Sequence, residues 1–315
     1  MTQTITIGTR GSQLALWQAH TIADLIRSNY EDVNVELRIF TTRGDKILDK
    51  ALPEIGGKGL FTEELEMALR DGEIDCAVHS LKDLPTEHVD GIHIGAIPKR
   101  GAFEDVLVSK NKVPLSELPQ GATIGTSSLR RKAQLLNVRN DLNIIDIRGN
   151  VPTRIEKLQA DNSPYDAIVL ARAGVERLEL GQHITEILSD PIMLNAPAQG
   201  AIGIQCREEP DSMAFFSPLM DLQTWLAVTA ERAFLQMLGG GCSLPVAAYA
   251  RIDNSTLYLH GRVTAVDGSA QIDVHNKVGL IRESNIIESA SQLGAKTAQE
   301  ALEQGATAIL NSLNL

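Results

Sequence analysis

The 315-residue sequence predicts an α/β protein: two similar, doubly wound lobes followed by a small α+β C-terminal domain. Three observations carry that prediction. Short apolar runs alternate with amphipathic segments through the first half of the chain. The tetrapeptide TIGT occurs at 6–9 and again at 123–126, each time before hydroxyl residues and a helical pattern. The last hundred residues change character, to a helix, a pair of strands and a closing helix.

Taken in order, Ile5–Gly8 reads as the end of a strand, after which Leu14, Trp17, Ile22, Leu25 and Ile26 recur at helical spacing. Val33–Phe40 alternates as a strand does, Glu63–Leu69 is helical, and Ile74–His79 is a short strand running into SLKDLP. Strands are also expected at Val106–Ser109, Asn143–Ile147 and Ala167–Ala171, with the NIIDI run read as buried. In IMLNAPAQGAIGIQC, Pro197 and Gly200 precede a strand whose Ile202, Ile204 and Cys206 share a face, read as a crossing back between lobes. A helix around Trp225–Leu238 ends in LGGGCSLP. Two strands then join through Asp267-Gly268, a hairpin signal, and a helix spans about 285–303. The expected domains are 1–99 with 199–218, 104–195, and 219–315.

Hydrophobic residues make up 43% of the chain, enough for several cores, and aromatics 4%, so those cores must be aliphatic. A net charge of −11 argues against general affinity for nucleic acid or anionic membrane. The N-terminus MTQTITIGTRGS lacks the pattern of a signal peptide, and no apolar run approaches the roughly 18 residues of a spanning helix. Three widely spaced cysteines make no disulfide framework. The expectation is a cytoplasmic protein with reduced thiols.

Against the acidic background, residues 123–154 carry six cations and two acids, a net +4, which leaves −15 for the rest. A solvated basic face would explain this. However, Arg130 and Arg131 open a helix after Ser127 and Ser128, where the helix dipole disfavours cations, and Arg148 follows a strand. Arginines so placed suit forked recognition of carboxylates or phosphates, and Arg10 follows the first TIGT. GGKG at 56–59 lacks the spacing of a phosphate loop; it reads as a surface loop or a mobile lid with Lys58 at its tip and Phe61 beside it.

Ser80, Lys82 and Asp83 directly follow a strand, where α/β folds present ligand-binding groups, although an ordinary turn is the plain alternative. In an arginine-rich cleft, Asp83 would be a carboxylate able to stabilise a developing cation. At about 4 Å and an effective dielectric near 20, that is worth roughly 4 kcal/mol, on the order of a thousandfold in rate. The seven histidines show no ligand spacing, and HExxH and CxxC are absent, so no metal site is expected. Cys76 and Cys206 lie in apolar strands as core thiols. Cys242 stands in a glycine turn, accessible, as a nucleophile or a permanent attachment point.

TRGSQLALWQA, TTRGD, GGKGLF, HSLKDLP, GTSSLRR, RGNVPTR and LGGGCSLP stand together in the order of one family. Through them nearly the whole chain resembles the porphobilinogen deaminases, or hydroxymethylbilane synthases. The resemblance implies two lobes like those of a type II periplasmic-binding protein and a small third domain. It implies a dipyrromethane cofactor joined to Cys242 by a thioether. On that primer four porphobilinogen molecules condense head to tail, releasing ammonia; hydrolysis then frees hydroxymethylbilane.

By the same resemblance Asp83 is the catalytic aspartate, and Lys82, Ser128, Arg130 and Arg131 hold the cofactor with it. Arg10, Ser12, Thr126, Arg148, Arg154, Arg177 and Gln199 contact substrate, and Lys58 and Phe61 lie on a loop over the cleft. It further implies a monomer that hands its product to a uroporphyrinogen III synthase, with no nucleic-acid or membrane partner. Two positions depart from the family pattern: Glu54 replaces a loop lysine, and Ala198 a glycine, implying a stiffer hinge. The rival readings are a two-lobed binding protein for an acidic small molecule, with no use for Cys242, and a cysteine-dependent acyltransferase, with no partner histidine in a telling motif.

Overall fold

The computed structural model describes residues 3–46, 62–241, 244–280 and 285–312. Two five-stranded sheets in it repeat one plan. In the first, β1 (Gln3–Arg10) lies parallel to β2 (Val33–Phe40) and β3 (Cys76–Ser80). Between β3 and β4 (Ile92–Ala96) lies β10 (Ile202–Arg207), antiparallel to both, giving the order β2-β1-β3-β10-β4. The second sheet uses β5 (Asp105–Ser109), β6 (Thr123–Gly125), β7 (Asn143–Ile145), β8 (Ala167–Ala171) and β9 (Glu186–Leu188). Its order is β7-β6-β8-β5-β9, with β5 antiparallel to β8 and β9. In each sheet the antiparallel strand between two others is the one that follows a crossing between lobes.

The repeat is deeper than TIGT. The amide of Thr6 donates to Asp75 Oδ2 at 2.8 Å while the Asp75 amide donates to the Thr6 carbonyl at 2.9 Å. Thr123 and Asp166 make the same two bonds at 2.7 and 2.8 Å. Both sheets therefore fix the entry of their third parallel strand with one aspartate.

Helix α1 (Gln13–Asn29) starts at Ser12, whose hydroxyl accepts from the Ala15 amide at 3.2 Å. It buries Ala15, Ala19, Ile22, Ala23 and Ile26, and leaves Trp17 37% exposed. The small alanines let the helix settle close to the sheet, which shifts its inner face away from the expected Trp17. Helix α2 (Glu63–Arg70) buries Leu65 and Leu69. In the second lobe, α3 (Leu129–Val138) is capped by Ser128 in the manner of Ser12, and α4 (Val151–Gln159) and α5 (Arg172–Arg177) follow. NIIDI is not the buried strand expected: β7 ends at Ile145 and lies at the sheet edge, with Asn143 exposed and both isoleucines half-buried. Strands β4 and β9 carry too little period-two pattern to be read beforehand.

Helix α6 (Pro210–Phe216) leads toward the C-terminal domain, an antiparallel meander of β11 (Val246–Asp253), β12 (Thr256–Thr264) and β13 (Gln271–Gly279). Helices α7 (Leu222–Met237) and α8 (Ile286–Ala301) cover it, and Phe234, Leu257, Leu259, Val263 and Leu293 fill the core between. The helices meet at Gly294, where a Cβ would stand 2.3 Å from the Ala230 carbonyl. The two strands read from the sequence are β12 and β13, turning at Gly268 with φ +77°. Strand β11 was not anticipated.

Candidate active site

Parallel strands point their carboxyl ends one way, and an antiparallel neighbour begins where they finish. At that end of the first sheet β1 delivers Arg10, and β3 delivers Ser80 opposite Ile202, the first residue of β10. At that end of the second, β6 delivers Thr126–Ser128, and Asp105, the first residue of β5, faces Ala171, the last of β8. The chain runs from β3 into a single tight turn, Leu81–Asp83, anchored by fully buried Leu81, whose amide donates to the Ala201 carbonyl at 3.0 Å. Lys82 is thereby half-buried and Asp83 is left exposed.

Asp105 organises the cluster. Completely buried, its carboxylate accepts from Arg130 Nη1 at 2.7 Å, Arg131 Nε and Nη2 at 3.0 and 2.7 Å, and Gln199 Nε2 at 3.0 Å. Burial alone would raise its pKa; the charges of Arg130 and Arg131, with Lys82 behind them, hold it far below the usual carboxylate range. The sequence offers both arginines to an outside carboxylate, whereas here each has an internal one. Arg130 Nη1 also donates to the Leu194 carbonyl at 2.7 Å, and Arg131 Nη1 to the Val169 carbonyl at 3.0 Å.

Gln199 joins the lobes. Its Nε2 serves Asp105 and the Phe103 carbonyl, the latter at 2.8 Å, and its Oε1 accepts from Lys82 Nζ at 3.2 Å. Withdrawal from water brings the Lys82 ammonium down to about 8; Arg131 and Arg130 push it further, while Asp83 and Asp105 oppose them. Arg154 falls to about 10, first through burial, then through Arg131 and Arg148, with Asp83 acting the other way. Asp83 and Arg131 thus lie within electrostatic reach of both Lys82 and Arg154, and Arg148 within that of Arg154. Arg154 Nε donates to the Gly149 carbonyl at 2.7 Å; among the described residues neither Arg148 nor Arg154 forms an ion pair.

The other predicted residues among those described do not bond to Asp105 and have partners of their own. Arg10 is bidentate to Asp45, and Ser12 and Ser128 serve as helix caps. Thr126 is buried, its hydroxyl accepting from the Ser128 amide at 3.2 Å. Arg177 donates to the Gly200 carbonyl at 2.7 Å, lies 5.2 Å from the Trp17 ring centre, and is lowered by burial to about 10. His79 is buried and falls to about 4, first through burial, so it is neutral at pH 7. Cys76 and Cys206 are buried free thiols, raised chiefly by burial, Cys206 to about 11.

Cys242, Lys58, Phe61 and Glu54 lie outside the described residues. The glycine turn before Cys242 does not. Gly239 and Gly240 have φ of +112° and +72°, which side chains rarely adopt, and a Cβ on Gly240 would stand 2.9 Å from Thr86 Oγ1. The turn therefore lies against the segment that follows Asp83. Arg232 on α7 fixes the same segment, donating to the Leu84 and Pro85 carbonyls at 3.0 and 2.7 Å.

Two residues escaped the sequence reading. Asp105 has no motif around it, and Gln18, buried on α1 with Nε2 donating to Ser80 Oγ at 2.8 Å, reads as an ordinary helix surface amide. Among the described residues no cluster of histidine, cysteine, aspartate and glutamate is suited to a metal ion, and no helix is long and apolar enough to cross a membrane.

Residues 5–214 match the family described as "Porphobilinogen deaminase, dipyromethane cofactor binding domain", and residues 225–303 match "Porphobilinogen deaminase, C-terminal domain". A porphobilinogen deaminase of Maridesulfovibrio salexigens is 46% identical over 308 residues, covering 98% of this chain and 97% of its own. One from Syntrophotalea carbinolica is 45% identical over 312 residues, 98% of this chain and 96% of its own. The solved methionine-binding protein MetQ aligns with 69% of this chain and 89% of its own at 15% identity and a TM-score of 0.42, too slight a likeness to bear on function.

Proposed function

The chain belongs to the porphobilinogen deaminase family, and on that premise we infer how its residues divide the work. The activity is that of a transferase, hydroxymethylbilane synthase, which condenses porphobilinogen on a dipyrromethane primer. Dipyrromethane, when bound, supplies the pyrrole carbon that new units join.

The cleft fits such a group. Each pyrrole bears an acetate and a propionate, and Arg148, Arg154 and Lys82 present half-buried positive charge beside Arg130 and Arg131. Cys242 is the attachment point, a reading supported by the glycine turn before it, which lies beside the segment that follows Asp83. Arg10, Ser12, Thr126, Ser128, Arg177 and Gln199 orient carboxylates and ring N–H groups, and Lys58 and Phe61 cover the cleft. Asp83, exposed at the end of its turn, accepts from pyrrole N–H groups and stabilises the positive charge that forms as ammonia leaves. Residues 1–99 with 199–218, 104–195, and 219–315 act as the three domains. The enzyme works in the cytoplasm as a monomer and passes its product to a uroporphyrinogen III synthase.

The observation that carries this reading is the glycine turn packed against the Asp83 segment, and intact-protein mass tests it. The purified protein is expected to weigh more than its polypeptide by two linked pyrrole units, and Cys242→Ala to lack both the adduct and the activity. Asp83→Asn is expected to keep the adduct while elongating on the order of a thousandfold more slowly. An active Cys242→Ala enzyme would remove the tether; an Asp83→Asn enzyme of normal speed would remove Asp83 from the chemistry.

A further inference from the structure

The fork of Arg10 is closed on a carboxylate of the chain itself. Asp45 stands in the helical turn Arg43–Lys46 and meets Arg10 through both oxygens, with Nε to Oδ2 at 3.2 Å and a second bond from Nη2 to Oδ1. The amide and hydroxyl of Thr42 hold Oδ2 as well, at 3.1 and 2.8 Å. The Arg10 and Asp45 side chains are 23% and 26% exposed, so the pair is largely buried yet still reached by solvent. The Asp45 side chain is chemically an acetate, and a porphobilinogen ring carries an acetate and a propionate. The forked guanidinium and the acetate-like acceptor are the groups that a contact between Arg10 and a substrate carboxylate would use, here supplied from within.

We propose that Asp45 is a built-in surrogate for the substrate carboxylate: it occupies Arg10 when that subsite is empty and must be displaced by porphobilinogen. The proposal rests on the reading of Arg10 as a substrate arginine. Competition of this kind lowers apparent affinity by the fraction of time the fork is free. An internal partner present about five-sixths of the time weakens substrate binding about six-fold. It also favours ligands with a second carboxylate held elsewhere, since a lone carboxylate gains little by exchanging with Asp45. A site that receives four substrates in turn benefits from a grip that releases readily.

Steady-state kinetics of the holoenzyme with porphobilinogen provide the test, on the wild type, Asp45→Asn, Asp45→Ser, Arg10→Gln and the Arg10→Gln/Asp45→Asn double variant. Asparagine can still accept from Thr42 but carries no charge. Both Asp45 variants are expected to lower KM by about two- to six-fold, with kcat unchanged or reduced. Arg10→Gln is expected to raise KM, and in that background Asp45→Asn should change nothing. Should Arg10→Gln raise KM while both Asp45 variants leave it equal or higher, the surrogate is refuted and Arg10 keeps its role. A wild-type KM in Arg10→Gln refutes the premise, and the proposal with it.

Discussion

Lys82 holds its proton less firmly than a surface lysine, first because it is withdrawn from water and then because Arg131 and Arg130 crowd it. With its folded value near 8, the ammonium is lost as pH climbs from 7 to 9. The KM for porphobilinogen is therefore expected to rise through about pH 8 in the wild type. In Lys82→Gln it should be high at pH 7 and show no inflection there. Stability moves the other way. Between about 8 and the ordinary 10.5 the unfolded chain binds more protons than the folded one, so this residue's contribution to stability grows with pH across that window. Denaturant midpoints at pH 8 and 10, compared between wild type and Lys82→Gln, measure it. Lys82 and Asp83 were legible because a strand followed by a tight turn exposes what comes next. Asp105 was not: its partners are 25, 26 and 94 positions away, and the acidic pair Glu104-Asp105 ahead of VLVS signals nothing by itself. The same lack of local pattern hid the Asp75 and Asp166 pair, whose likeness emerges from strand register.

The second crossing between lobes holds left-handed backbone whose cost can be assigned. Gly101 and Gly200 run side by side, the Gly101 amide donating to the Gly200 carbonyl at 3.2 Å. Gly200 has φ +87°, and a Cβ there would lie 2.3 Å from the Ala102 carbonyl. Gly200→Ala combines that overlap with a left-handed penalty of about 1–2 kcal/mol, so a loss of at least about 2 kcal/mol is expected in chemical denaturation. Ala198 is the informative contrast, a non-glycine residue at φ +61°. Ala198→Gly removes a strain of about 1 kcal/mol but frees the unfolded chain by about 0.4–1 kcal/mol, so stability should stay within about 0.5 kcal/mol. From the sequence Ala198 suggested only a stiffer hinge; its strained backbone is a property of the close crossing. Elements with a strong period, such as α1, β8 and α7, were readable. Short edge strands such as β9 were not, because a strand of three residues is defined by its neighbours rather than by its own pattern.

At the scale of the molecule, α7 binds the parts together through adjacent residues. Glu231 is fully buried; it accepts from Arg100 at 2.7 and 3.0 Å, from the Ala198 amide at 2.6 Å and from the Ala250 amide at 2.8 Å. One carboxylate thus serves both crossings and a strand of the third domain, while Arg232 grips the Asp83 segment. Glu231→Gln strands the Arg100 guanidinium, and a loss of about 3–5 kcal/mol in chemical denaturation is expected. A loss below about 1 kcal/mol would show that the crossings hold without it. The three-part architecture was legible from the TIGT echo and the change of pattern near the C-terminus. This convergence on α7 was not, since nothing in LAVTAERAFLQM marks two of its charges as internal.

The sheets also differ in how the chain writes them. All five strands of the second come from one uninterrupted stretch, residues 105–188, whereas the first needs β10, more than a hundred residues beyond β3. During synthesis at about 5–20 residues per second, the seat between β3 and β4 stays empty for roughly 5–25 seconds after β3 emerges. The lobe made first is therefore completed last, and the newborn chain is most open to misassembly along that vacant seam.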